Sequence, residues 1–349
     1  MKKGLLTVLI LLLLTTFLLI FSANNTTIPE SEDLSIYNYS DGTDAQTDMP
    51  EYEATEPEES QISDDAKDEV VDDSGLIYIA GQGFYPDITE LSLEDLGLSD
   101  DDIKPIRHLT ELTHLRLQRN QLTDITPLRY LQNLEVLRID SNYISDLTPL
   151  SNLYSLNTLL LSHNNIADIS ALSGLVNLFS LLLDDNEIKD FSPLSGLENL
   201  SGLSITYNNI ADISTLTGLD GLTNLHLNGN AISDISYLSY LTGLEMLNLG
   251  DNQVVDITPL SGLENLTTLL LHNNEIIDLT PLQSLMKLEL LTLFGNMFTD
   301  ISPLAYLESL MSLFLTDDMF TIWRPYGTTE TADMSAIEHV PFVTGRAGG

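Results

Sequence analysis

The chain has 349 residues, enough for one large domain or two smaller ones, and carries 52 acidic against 13 basic side chains. A net charge of -39 argues against sequence-independent binding to nucleic acid, which neutralises phosphates with Lys and Arg, and disfavours adhesion to anionic lipid head groups. There is no cysteine, so disulfides, thiolate zinc sites and thiol nucleophiles are excluded.

The N-terminus opens with Lys2 and Lys3, followed by an apolar run from Leu5 to Phe21 broken only by Thr7, Thr15 and Thr16. This is an export signal in form, and residues 1–23 read as either a cleaved signal peptide or an uncleaved membrane anchor. Ala23 suits a cleavage site, whereas bulky Phe21 does not. The run exceeds the usual signal core and approaches the length that spans a bilayer. The two lysines put that end in the cytoplasm and all that follows outside it.

Residues 24–75 change character, with 17 acidic residues and one base, Lys67. Few large apolar side chains occur here, so burial cannot offset the entropy of ordering. The expectation is a disordered, self-repelling linker with a reach of at least about 40 Å.

Residues 76–110 are expected to form an N-terminal cap and an irregular first repeat. Leu76–Ala80 and Ile88–Leu93 read as edge strands, and Pro105 and Ile106 fall in register with Pro127 and Leu128 of the next unit.

From about residue 111 to 318 a period of 22 residues governs the chain. Asparagine recurs at Asn120, Asn142, Asn164, Asn186, Asn208, Asn230, Asn252, Asn274 and Asn296. Aspartate recurs four residues later, from Asp124 to Asp300. Before each asparagine, leucines alternate with variable residues, as Leu225 and Leu227 flank His226; that is strand spacing with one apolar face. The asparagine amides are expected to form a ladder satisfying backbone groups of neighbouring coils. Ser or Thr follows each aspartate by two residues and Pro often comes next, which predicts an N-cap and a short helical turn. One such unit cannot bury its own apolar face, but a stack can, because each coil covers its neighbour. The fold expected is an α/β solenoid, a curved right-handed superhelix with a parallel β-sheet on its concave face and short helical turns on its convex face.

These units resemble the 22-residue leucine-rich repeats of internalin-type bacterial surface proteins, over about residues 76–318. The resemblance implies a surface binding module, without implying invasion of host cells. No LPxTG-type sorting signal, immunoglobulin-like domain or host-receptor signature accompanies the repeats in this sequence.

After Asp318, which stands where an asparagine is due, Met319, Phe320, Ile322 and Trp323 could cover the last coil. Residues 319–349 are thus expected to be a C-terminal cap and a loose tail beyond Pro325.

With core leucines and ladder asparagines committed to structure, specificity is expected at the variable strand positions two and four before each asparagine. On this basis Arg116, Arg138, Leu160, Leu182, Phe294 and Phe314 are the partner-binding candidates, since exposed arginines and aromatics make favoured anchors. The alternative is that the arginines pair with Asp140 or other local acids and the phenylalanines pack against the cap. No catalytic, metal or cofactor site is expected. His163 and His272 are five coils apart, about 24 Å at strand spacing, and no phosphate loop or dinucleotide fingerprint occurs. The function expected is non-enzymatic: a monomeric, extracytoplasmic module binding a protein on its concave face, with no nucleic acid and with membrane contact only through the N-terminus. A cell-wall or glycan-binding adhesin and an envelope spacer remain alternatives.

Overall fold

The computed structural model describes residues 75–315. The signal or anchor at 1–23, the linker to residue 74, and the C-terminal cap with Met319, Phe320, Ile322 and Trp323 lie outside the described residues.

The described chain opens with β1 (Ile77–Ile79) and β2 (Gln82–Phe84), an antiparallel pair separate from the main sheet. The second strand of this hairpin was not expected from the sequence. Ala80 and Gly81 both adopt positive φ, 49° and 78°. Two left-handed residues in a two-residue loop make the turn whose twist matches antiparallel strands. Ile77 and Ile79 are buried and begin the core.

Eleven short parallel strands then stack in chain order. They are β3 (Glu90–Ser92), β4 (His114–Arg116), β5 (Val136–Arg138), β6 (Thr158–Leu160), β7 (Ser180–Leu182) and β8 (Gly202–Ser204), followed by β9 (Asn224–His226), β10 (Met246–Asn248), β11 (Thr268–Leu270), β12 (Leu290–Thr292) and β13 (Ser312–Phe314). Register advances by 24 residues from β3 to β4, where Glu90 faces His114. Every later step is 22, as when Val136 faces Thr158. The first coil is therefore two residues longer than the rest.

A short 3-10 turn follows each strand from β3 to β12 on the opposite side of the coil, for example Thr126–Tyr130. These turns are bulkier than a strand, so the stack curves towards the sheet. The middle leucine of each strand, from Leu115 to Leu313, points inward and is fully buried. The leucines of the turns, such as Leu128 and Leu150, meet it from the other side in one continuous core. Each fully buried leucine contributes about 1.5–3 kcal/mol before entropy is counted.

The cap of each turn differs from the expectation. Ser and Thr do not cap; they are the first residues of the turns, as Thr126 is, and no side-chain cap bond is made at the preceding residue. The aspartate two residues earlier acts instead, with Asp124 Oδ1 accepting the Thr126 N–H at 2.8 Å. The same bond forms at Asp146, Asp168, Asp190, Asp212, Asp234, Asp256, Asp278 and Asp300. An aspartate bonding the backbone two residues on is an Asx turn, and it satisfies a donor that the short turn would otherwise orphan. Ser and Thr suit the position two residues on because the hydroxyl as well as the N–H can bond the same carboxylate, as at Asp168, Asp212, Asp256, Asp278 and Asp300.

The recurring asparagines are buried or half-buried and their amides bridge coils. Asn142 Nδ2 donates to Leu117 O of the preceding coil at 3.0 Å and to Ile139 O of its own coil at 3.0 Å. Its Oδ1 accepts the Leu122 N–H at 3.1 Å. The pattern repeats through Asn296, whose Oδ1 accepts the Ile276 N–H. A second, interrupted amide row runs along the far side. Asn133, Asn177, Asn199 and Asn265 each donate to a carbonyl 23 residues earlier. Gly221 and Gly243 occupy that position in two coils and break the row.

The residue before each ladder asparagine is left-handed. Arg119, Ser141, His163, Asp185, Tyr207, Asp251 and Asn273 have φ between 48° and 56°, and Gly229 and Gly295 are at 69° and 71°. This conformation ends the strand and turns the asparagine side chain inward. For a residue with a Cβ it costs about 1–2 kcal/mol, so glycine, Asn and Asp at several of these positions have a physical reason.

The candidate binding face

Each strand directs its middle residue into the core, so its first and third residues face the concave side, and the burial pattern of β4 and β5 shows this alternation. Strand apposition continues past the third residue, with Leu117 N bonding Arg138 O at 2.7 Å and Arg119 N bonding Asp140 O at 3.0 Å. The concave face therefore carries three columns. Two were expected from the sequence. The third, formed by the first residue of each strand (His114, Val136, Thr158, Ser180, Gly202, Asn224 and onward), was missed. The same alternation that marks the other two would have found it.

Arg116 and Arg138 sit side by side, third residues of β4 and β5 and directly in register. Both are half-buried. Leu160 follows in register on β6 and Leu182 on β7. Leu182 is half-buried, but Leu160 is only 8% exposed. Phe294 and Phe314 are also buried, at 5% and 4%. The expectation that these three project as open contacts is corrected: in the free chain they offer little surface. Side chains on strands about 4.8 Å apart crowd one another on a concave face. Phe294 stacks on His272, ring centroids 4.8 Å apart and planes at 20°.

Of the neighbouring arginines, only Arg119 pairs with local acids among the described residues. Arg119 contacts Glu94 at 3.4 Å and Asp95 at 3.9 Å. Arg116 and Arg138 make no ion pair among the described residues, and Arg138 Nε is buried without a hydrogen-bond partner. Burial, then the like charge of Arg116, pull the Arg138 guanidinium below its ordinary pKa, against the opposing pull of Asp140 and Glu94. Burial pushes the Asp140 carboxyl above its ordinary value.

The middle of the face is a polar network. Asp184 accepts from Thr206 N at 2.8 Å, Thr206 Oγ1 at 2.9 Å, Ser162 Oγ at 3.2 Å, and from Ser204 Oγ. His226 lies in register beside Ser204, and burial pulls its imidazole below the ordinary histidine value. The triad-like composition of Ser204, His226 and Asp184 does not make a nucleophile. The Ser204 hydroxyl donates to the carboxylate, and Ser204 is 1% exposed, leaving a substrate no access. Further along, His272 contacts Asp251 at 3.4 Å and Thr292 Oγ1 at 3.1 Å.

Among the described residues, no group of three or more His, Cys, Asp or Glu is placed to hold a metal ion, and no helix is long and apolar enough to cross a membrane. A shallow groove on the helical-turn side is lined by Thr217, Asp220, Tyr237, Tyr240 and Thr242.

A parallel sheet of 22-residue coils with an asparagine ladder defines a leucine-rich-repeat solenoid. Family models for leucine-rich repeats match residues 110–152 and 220–262 as paired copies, and residues 132–188 as a further repeat block. Among solved structures, an internalin (inlF) of Listeria monocytogenes is 35% identical, with a TM-score of 0.58, over 68% of this chain and 77% of that one. A leucine-rich-repeat protein of Leptospira interrogans is 29% identical, with a TM-score of 0.54, over 56% of this chain and 52% of that one. The plant peptide hormone receptor RGFR1, solved in complex with RGF2, shares the fold at 23% identity and a TM-score of 0.59, over 67% of this chain and 40% of that one. No curated protein matches the chain. The chain belongs to the internalin-type leucine-rich-repeat family, whose fold is generally a protein–protein interaction module.

Proposed function

We propose that this chain is an extracytoplasmic, non-catalytic binding module that receives a protein partner on its concave sheet at a bacterial cell surface. It acts as a monomer held or exported by its N-terminal segment. The observation that carries the reading is the division of labour within each coil. The leucines and ladder asparagines are consumed by the frame, while three outward columns vary from coil to coil on that fixed frame. A rigid face pre-positions its contacts, so little ordering entropy opposes docking. Arg116, Arg138 and Leu182 contribute directly. Leu160, Phe294 and Phe314 lie within the outward columns but are crowded by their neighbours, and are uncovered only by side-chain movement on docking.

Site-specific photo-cross-linking on intact envelopes tests this. A photoreactive side chain at Thr158 or Asn224, both half-buried on the concave face, is expected to give one discrete protein adduct that excess unlabelled chain abolishes. The same label at Thr217 or Ser239, exposed on the helical-turn side, is expected to give none. Adducts from the helical-turn side alone, or none from any position, would refute the reading. The second reading, glycan binding, is favoured by the Tyr237 and Tyr240 rings beside Asp220. It predicts retention on cell-wall polysaccharide that is lost in the Tyr237→Ala, Tyr240→Ala double variant.

A further inference from the structure

The first coils carry an electrostatic anomaly. Acidic side chains outnumber basic ones in this chain by 52 to 13, yet the two arginines that face each other across β4 and β5 make no ion pair among the described residues. The nearest acids are already committed or out of contact. Glu94 accepts from Gln118 Nε2 and from Arg119. Asp140 influences Arg138 electrostatically but makes no ion pair with it among the described residues. Two guanidinium groups held in register on adjacent strands repel, and partial burial removes the water that would screen them. Arg138 Nε has lost its water without gaining a partner. Beside them on the same face Gln118, 7% exposed, leaves its Oε1 buried and unbonded while its Nε2 is tied to Glu94. One buried donor, Arg138 Nε, and one buried acceptor, Gln118 Oε1, thus lie unpaired within one patch.

We propose that Arg116 and Arg138, both half-buried on the concave face, form a receptor for a single carboxylate side chain presented by the docking protein. This rests on the concave-face reading above and deepens it by naming the partner's chemistry. A carboxylate has two acceptor oxygens, and guanidinium groups on neighbouring strands match them as charge-assisted donors. Its arrival removes the repulsion between the arginines and pairs a desolvated charge. The register then continues into Leu160 and Leu182. The segment that fits is therefore an acidic residue followed, about one to two strand spacings or 5–10 Å further, by an apolar one.

The test uses the full chain and a fluorescein-labelled synthetic nonapeptide containing one glutamate followed by two leucines, with a glutamine counterpart as control. Anisotropy titration is expected to show the glutamate peptide binding about tenfold more tightly than the glutamine peptide, the scale of a charge-assisted hydrogen-bond pair. That preference is expected to collapse to about twofold or less in R116Q and in R138Q, and to survive in R119Q, whose arginine already has carboxylate partners. R116K is expected to retain part of it, because charge survives while the bidentate fork is lost. Far-UV circular dichroism confirms that each variant is folded. Sodium phosphate at matched ionic strength is expected to compete no better than chloride. Equal binding of the two peptides, no binding of either, or a preference that persists in both R116Q and R138Q would overturn the proposal. Displacement by phosphate where chloride has no effect would overturn it in favour of a free-anion site. Cross-linking from Thr158 and Asn224 reads the wider docking surface independently, so failure of the carboxylate receptor and failure of the concave-face reading are distinguishable.

Discussion

Replacing Asn186 by alanine is the sharpest test of how the coils are held together. Asn186 is 8% exposed and makes four inter-group bonds. Its Nδ2 donates to Leu161 O at 3.1 Å, Leu183 O at 3.1 Å and Asp184 O at 3.2 Å, and its Oδ1 accepts the Ile166 N–H at 2.9 Å. The three carbonyls keep other donors when the side chain is removed. Leu161 O still receives Asn164 Nδ2, Leu183 O still receives Asn208 Nδ2, and Asp184 O still receives the His163 N–H. The Ile166 N–H has no second partner among the described residues, so the loss concentrates on one buried donor. Leaving it unpaired costs about 1–3 kcal/mol, and the lost amide bonds add about 1 kcal/mol more. The expected total is about 3 kcal/mol.

Urea unfolding of the full chain, followed by far-UV circular dichroism, reads the total as a lower midpoint at similar slope. Because a solenoid can unfold coil by coil, amide hydrogen exchange at Ile166 is the local readout. Its protection is expected to fall well below that of Ile144, whose N–H still bonds Asn164 Oδ1 at 3.0 Å. A loss under about 0.5 kcal/mol with Ile166 still protected would refute the accounting, because a buried orphan donor cannot be that cheap.

Two further outcomes follow from the turns. Gly229→Ala is expected to destabilise by about 1–2 kcal/mol for the left-handed conformation, and by more because the added Cβ runs into the Tyr207 ring; an unchanged melting temperature would refute this. The turn-capping carboxyls of Asp168, Asp212, Asp256, Asp278 and Asp300 are held below the ordinary value of 3.8 by hydrogen bonds from the Ser or Thr two residues on. A depressed carboxyl stabilises the fold above its unfolded value, and that contribution is lost as pH falls through the lowered one. Asp140, raised by burial, acts in the opposite sense. The Asp168→Asn, Asp212→Asn double variant keeps the side-chain acceptor without the charge. Its urea midpoint is therefore expected to vary less than that of the parent chain between about pH 4 and pH 3; identical slopes would refute the assignment.

The strict 22-residue recurrence made the solenoid legible. A period that never slips past the first unit puts every asparagine and leucine at the same point of every coil, so one unit read correctly is all of them read correctly. The capping group was not legible, because Asp and Ser or Thr recur together and both are good cap residues. Only geometry assigns the bond to Asp124 and its successors and places Thr126 inside the turn.

The periodic residues determined by themselves the coil, the parallel sheet, the inward leucines and the asparagine row. Each follows from local spacing and from the need to bury an apolar stripe. Tertiary structure decided what the concave surface offers. Whether Leu160 or Phe294 is open, and whether Arg138 has a partner, depends on neighbours about twenty residues away, brought within one strand spacing by stacking. The repeat places those neighbours, but their sizes and charges compete for the same narrow space, and that competition is settled only in three dimensions.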